Sequence, residues 1–139
     1  MYFTGGSFGG GLGALALPWD NRFALGHLHV PTFAHHPIRN EYRSEGSGKS
    51  VADYVSDHPD VMDLHAYYDA ATAASQIQIP VIGAPAVFDP KVPPPGQFAV
   101  TNTLPETGKI CILRAGHFEY PGQQEDDRDL RSQLRSFFS

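Results

Sequence analysis

MYFTGGSFGGG, residues 1–11, sets one serine among glycines directly behind a strand-like run. Met1 to Thr4 read as the end of a β-strand, Gly5 to Gly11 as a loop around Ser7, and Phe8 to Leu17 as a helix that Pro18 closes. Glycine has no Cβ, so it tolerates close backbone approach and φ > 0, and a turn flanked by glycines is tight enough for a hydroxyl to project alone. Gly5-Gly6-Ser7-Phe8-Gly9 fits G-x-S-x-G, the strand, turn and helix that present a nucleophilic serine. Such a strand ordinarily lies mid-sheet, so four residues ahead of the turn is a late start.

Working outward, Phe23 to Val30 (FALGHLHV) is apolar and aromatic and stops before Pro31, as a buried strand does. Pro31 to Lys49 has little periodicity, two prolines and the run SEGSGKS, and reads as an exposed excursion. Ser50 to His58 and Pro59 to Ser75 read as helices, with Val61, Leu64, Tyr67 and Tyr68 spaced as one buried stripe. Pro80 to Ala86 (PVIGAPA) is a second strand, with Asp89 in the turn after it, and Gly96 to Leu104 is a short helix. Lys109 to Arg114 (KICILR) is a third strand carrying Cys111 inward and delivering Gly116 and His117 at its C-terminal end. Asp126 to Phe138 puts Leu130, Leu134, Phe137 and Phe138 on one face and acids in its first turn, where the helix dipole favours them. Strand and helix alternate throughout, which predicts an α/β class with a parallel sheet.

The 139 residues suffice for one domain with a real core. A net charge of −5 with scattered Lys and Arg offers no basic stripe to a phosphate backbone, so no nucleic-acid partner is expected. No apolar run approaches the roughly 20 residues of a membrane helix, and the N-terminus lacks a signal peptide's charged start and apolar core. No membrane partner is expected. The single cysteine, Cys111, allows no internal disulfide, and the expected location is cytoplasmic.

Ser7, Asp89 and His117 each fall just past the C-terminal end of an expected strand, the edge where parallel α/β sheets bind ligands. A serine hydroxyl needs an imidazole to take its proton, and the imidazole needs a carboxylate to fix its tautomer and stabilise its cation. The backbone N–H of Phe8, at the helix start, supplies one oxyanion donor. Other readings stand beside this one. Gly9, Gly11 and Ala14 satisfy G-x-G-x-x-A, but no acidic residue closes a following strand at the right distance. Gly48-Lys49-Ser50 has the end of a phosphate loop, whose earlier glycine is here Arg43. His27 and His29 alternate on one strand, His35 and His36 share a loop, and Asp57, His58, Asp60, Asp63 and His65 cluster in sequence. Solvated helix caps and faces account for that cluster more simply than zinc does, so the expected metal and cofactor complement is none.

Five stretches carry a resemblance: TGGSFGGG at 4–11, VP at 30–31 with Phe33, YYDAATAASQIQIPVI at 67–82, FDPKVPPPGQFAVTNTL at 88–104 and AGHFE at 115–119. They resemble the C-terminal half of the acetyl xylan esterase and cephalosporin C deacetylase family, carbohydrate esterase family 7 of the α/β-hydrolase superfamily. In that family these places carry GGSQGG, YFD leading to PV, D-x-x-x-P-P with a later F-A and N, and GHE. The resemblance implies a single partial domain over 1–139, the C-terminal part of an α/β-hydrolase fold with a mostly parallel sheet flanked by helices. It makes Ser7 the nucleophile, Asp89 the acid and His117 the base, and assigns Pro31 and Phe33 to substrate binding. It also implies removal of acetyl groups from short xylo-oligosaccharides and small acetylated compounds, without cofactor. Two departures stand out: Phe8 replaces the family's glutamine, and Phe118 separates His117 from Glu119.

The family's first strands, its arginine-glycine-glutamine motif and its second oxyanion donor have no counterpart in these residues. The expectation is therefore an exposed apolar edge at Met1 to Thr4, self-association or a missing N-terminal half, and weak catalysis by the isolated chain. The excursion at 31–65 is expected to arch over the site. Alternatives are a catalytically inactive half-domain that works only with a partner chain, and a serine peptidase of the prolyl oligopeptidase type, which shares a GGSxGG elbow.

Overall fold

Short, largely apolar runs form the strands of the computed structural model, which describes residues 1–42, 45 and 47–139. Arg43, together with Ser44 and Gly46 of the SEGSGKS run, lies outside the described residues. In chain order the strands are β1 (Tyr2–Gly6), β2 (Leu25–His29), β3 (Val81–Ala84), β4 (Ala86–Phe88), β5 (Lys109–Ile110) and β6 (Leu113–Ala115). β1, β2, β3 and β5 make one parallel sheet in that order, with Thr4 opposite His27 and His27 opposite Ile82. β4 and β6 pair with each other, also parallel, beyond the ends of β3 and β5.

The split has a cause in the sequence. Pro85 has no N–H to give to a ladder, so the strand that begins as β3 is interrupted there and resumes as β4. The strand expected over 109–114 is likewise two short pieces around Cys111 and Ile112, although the Cys111 and Leu113 N–H groups still donate to the Gly83 and Pro85 carbonyls at 2.8 Å. Cys111 is inward as expected: it is buried, its S–H donates to Gln133 at 3.1 Å, and burial pushes its thiol pKa up.

Each face of the sheet is covered. Leu28 and Val81 pack under α1 (Phe8–Ala16), through Ala14, and under helical residues Ala70, Ala74 and Val100. Val30, Ile82, Ala84, Ala86 and Leu113 lie against Leu130 of the C-terminal helix Gln123–Phe138, with Leu134 and Phe137 packed at the margin. That helix starts three residues earlier than its sequence pattern suggests. Its Asp126 accepts from the Arg114 backbone N–H at 3.0 Å and side chain at 2.7 Å, and from the Tyr120 hydroxyl at 2.7 Å. The Arg114 guanidinium holds the Asp126 carboxyl well below the usual carboxylate range, while burial, with Asp126 beside it, pushes Tyr120 up to about 12. β1 is hydrogen-bonded to β2 along one side and, among the described residues, to nothing along the other; Tyr2 is exposed there, near Phe138.

Two stretches differ from expectation. Pro31 to Lys49 is not an exposed excursion throughout: α2 (His36–Glu41) and the start of α3 (Ser47–Asp57) occupy it, and Pro31, Ala34, His36 and Arg39 are buried. The long helix expected from Pro59 to Ser75 is a 3₁₀ turn at Pro59–Val61, α4 (Met62–Ala66) and α5 (Ala70–Ala74). Asp69 ends the run by adopting an extended conformation and accepting the Ala71 and Thr72 N–H groups at 2.9 and 3.2 Å, which starts a new helix. The predicted buried stripe is absent, since Leu64, Tyr67 and Tyr68 are exposed. α6 (Pro94–Thr101) and α7 (Gln123–Phe138) complete the helices.

Among the described residues no helix is long and apolar enough to cross a membrane, and no three His, Cys, Asp or Glu side chains are placed to hold a metal ion.

Candidate active site

Ser7 sits between β1 and α1 at φ 53° and ψ −115°, a conformation that L residues rarely adopt and that surrounding contacts must impose. Its N–H donates to the His29 carbonyl at the end of β2 at 2.9 Å, and its own carbonyl accepts from Gly11 at 3.0 Å and Thr32 at 3.4 Å. Gly5 makes the turn sterically possible, because a Cβ there would lie 2.5 Å from the Gly9 carbonyl oxygen. Phe8 is the first residue of α1, so its N–H precedes any intrahelical acceptor, as the oxyanion reading requires.

Asp89 follows β4 and is fully buried at its side chain, where a bare carboxylate would be costly. It has four donors. The Lys91 and Val92 backbone N–H groups reach Oδ1 at 2.9 Å each, and the Gln97 amide reaches Oδ2 at 3.0 Å. The fourth is His117 Nδ1, 2.8 Å from Oδ2. His117 follows β6 at φ 51°, and Gly116 before it lets the backbone pass close to the carboxylate: a Cβ there would lie 2.5 Å from Asp89 Oδ2.

Because Asp89 accepts only, the His117 proton sits on Nδ1, which leaves Nε2 as an acceptor toward Ser7 Oγ, 2.9 Å away. Ser7, His117 and Asp89, separated by up to 110 positions in the chain, thus form one continuous hydrogen-bonded line. Chemically this line can draw the proton from a serine hydroxyl as it attacks and return it to a leaving group. His29 lies beside it, and burial pushes the His29 imidazole down against the opposing pull of Asp127.

The other expected site residues divide. Phe33 is half-buried, at φ 64°, and its ring stands edge-on to Phe8 with centroids 5.1 Å apart. Pro31 is fully buried, so its side chain offers no surface to a substrate; it lies instead under the start of α1. Arg39 is also buried, with its guanidinium 5.5 Å over the Phe33 ring. Sequence reasoning missed two residues. Asp69, besides capping α5, accepts the His35 N–H at 2.6 Å and so fixes the loop that carries Phe33. Gln97, completely buried in α6, touches Asp89 directly. The only sequence signal for either was its position inside a stretch of family resemblance.

No family model matches this chain, and no curated protein does. Solved structures do. An acetyl xylan esterase from Paenibacillus sp. R4 superposes with a TM-score of 0.77 at 21% identity, over 97% of this chain and 44% of that one. Acetyl xylan esterase 1 from Thermoanaerobacterium sp. JW/SL YS485 gives 0.78 at 20% identity, over 95% and 43%. The acylaminoacyl peptidase of Pyrococcus horikoshii gives 0.76 at 16% identity, over 99% of this chain but 23% of that one. At such identities the likeness is one of fold: the chain has the C-terminal part of an α/β-hydrolase fold, and spans less than half the length of the esterases it matches.

Proposed function

We propose that this chain is the triad-bearing part of a serine ester hydrolase that removes acetyl groups from small acetylated compounds and short xylo-oligosaccharides. The observation that carries the reading is the line from Ser7 through His117 to a buried Asp89, with Ser7 held at positive φ on a strand-to-helix elbow. Ser7 Oγ attacks the acetyl carbonyl while His117 Nε2 takes its proton. The Phe8 N–H stabilises the oxyanion, an interaction commonly worth about 2.7–4 kcal/mol of barrier. His117 returns the proton to the departing alcohol, and water then reverses the steps to release acetate. The acetyl preference rests on the motif resemblance and on the likeness to two acetyl xylan esterases. Second-donor chemistry at the oxyanion comes from a partner segment, consistent with β1 being an open sheet edge.

The test is turnover of p-nitrophenyl acetate by the purified chain beside Ser7→Ala, over a range of protein concentrations. Activity lost in Ser7→Ala supports the reading, and activity per mole that rises with concentration supports completion by association. Folded protein with no turnover above the Ser7→Ala blank, and no fluorophosphonate labelling of Ser7, removes it. The likeness to an acylaminoacyl peptidase favours a second reading, in which amides are the substrates. Faster cleavage of an acylated p-nitroanilide than of the acetate ester would select it.

A further inference from the structure

Asp89 follows a strand that Pro85 has interrupted, so the acid of the triad hangs from β4, a piece of only three residues. Something other than the main sheet must fix it. Pro94 and Pro95 start α6, and a helical side chain points back toward its own N-terminus, so Gln97, one turn in, reaches the 86–92 loop. Its Oε1 accepts the Ala86 N–H at 2.8 Å, the first N–H after Pro85. Its amide gives one N–H to the Val92 carbonyl at 2.7 Å and the other to Asp89 Oδ2 at 3.0 Å. Both amide protons are used, in a place with no exposure at all.

We propose that Gln97 is a positioning residue for catalysis: it shares Asp89 Oδ2 with His117 and thereby sets both the direction of the carboxylate and the strength of its hold on the imidazole. The proposal rests on the reading of Ser7, His117 and Asp89 as a triad. Two consequences follow from an oxygen divided between two donors. Without Gln97, the carboxylate keeps Lys91 and Val92 on Oδ1 but loses one of the two groups that fix Oδ2, which weakens the transition state but not substrate binding. The oxygen also carries more unshared negative charge, which favours the imidazolium, so His117 titrates at higher pH than in the parent.

The test uses the full chain with Gln97→Met, which removes every bond at similar volume, and Gln97→Asn, whose shorter side chain keeps an amide but draws it back from Asp89 by one methylene. The expected result is a kcat lower by about ten- to a hundredfold, the scale of one charge-assisted hydrogen bond, at unchanged KM. The His117 ring titration, followed by NMR, should move up by roughly half a pH unit or more in both variants. His29 on β2 is the other titrating group beside this pair, with Asp127 of α7 acting on His29 in turn, and both substitutions leave them in place. A His117 titration that does not move, with activity falling only in step with the folded fraction, makes Gln97 a packing residue and overturns the proposal. If Gln97→Met fails to fold, Gln97→Asn decides by the same readings. If the parent chain shows no turnover, that failure belongs to the esterase reading, and the NMR comparison still decides this one.

Discussion

His27 should make this fold acid-sensitive by a predictable amount. It lies on β2 with only 6% exposure, its Nδ1 within 3.1 Å of Thr4 Oγ1 and its Nε2 buried without a partner. Burial, reinforced by nearby His29, pushes its pKa down to about 4 from an ordinary 6.5. A group whose folded pKa is depressed lends stability above its unfolded pKa and loses it as pH falls toward the folded one. Unfolded chains bind the proton from about pH 6.5 downward, whereas the native state refuses it until about pH 4. Linkage then gives a loss of about 2 kcal/mol between pH 7.5 and pH 5, and about 3 kcal/mol by pH 4. Against a domain stability of about 5–15 kcal/mol this is large. The assay is urea unfolding of the parent and of His27→Gln, which keeps a polar atom for Thr4, at pH 7.5, 6 and 5. With a slope of about 1–3 kcal/mol per molar urea, the parent's midpoint should fall by about 1 M more than that of the variant. His29 and His36, also pushed down by burial, titrate in both proteins and cancel in the difference. Midpoints that fall in parallel would refute the reasoning.

Two further outcomes follow from local geometry. The two glycines of G-x-S-x-G are unequal: a Cβ on Gly9 meets nothing within 4 Å, whereas one on Gly5 meets the Gly9 carbonyl. Gly9→Ala should therefore keep Ser7 reactive toward a fluorophosphonate and raise stability by about 0.4–1 kcal/mol, while Gly5→Ala should lose labelling and unfold at lower urea. Asp69→Ala removes three accepted N–H bonds, two at the start of α5 and one from His35, and should cost about 1–3 kcal/mol in urea unfolding, with Asp69→Asn recovering part of it.

The legible parts of the sequence were those where one local rule acts alone. Glycines around Ser7 permit the tight turn that few other residues could make, FALGHLHV is apolar enough for a buried strand, and the apolar face of Asp126 to Phe138 suits a sheet beneath it; β1, β2 and α7 are where these patterns put them. The placement of Asp89 and His117 past strand ends was legible in the strand pattern. The helix expected over Pro59 to Ser75 was misread because Asp69 competes: its carboxylate makes a cap, and the aromatic spacing of Tyr67 and Tyr68 carries no information once the helix has ended before them. Pro31 was misjudged because a motif position says that a residue is near a site, not whether its surface is open. Gln97 was invisible for a deeper reason. A glutamine in a helix is ordinarily solvated, and only the three-dimensional meeting of α6 with the loop after Pro85 turns its amide into a donor for Asp89.

The division of the sheet at Pro85 gives the site a mechanical character. Asp89 and His117 ride on β4 and β6, which pair with each other, whereas Ser7 rides on the four-stranded sheet. The 2.8 Å contact between Asp89 and His117 therefore lies within one pair of strands, whereas the 2.9 Å contact between His117 and Ser7 joins that pair to the main sheet. Of the two contacts in the line, only the one to Ser7 depends on how the two sheets sit against each other.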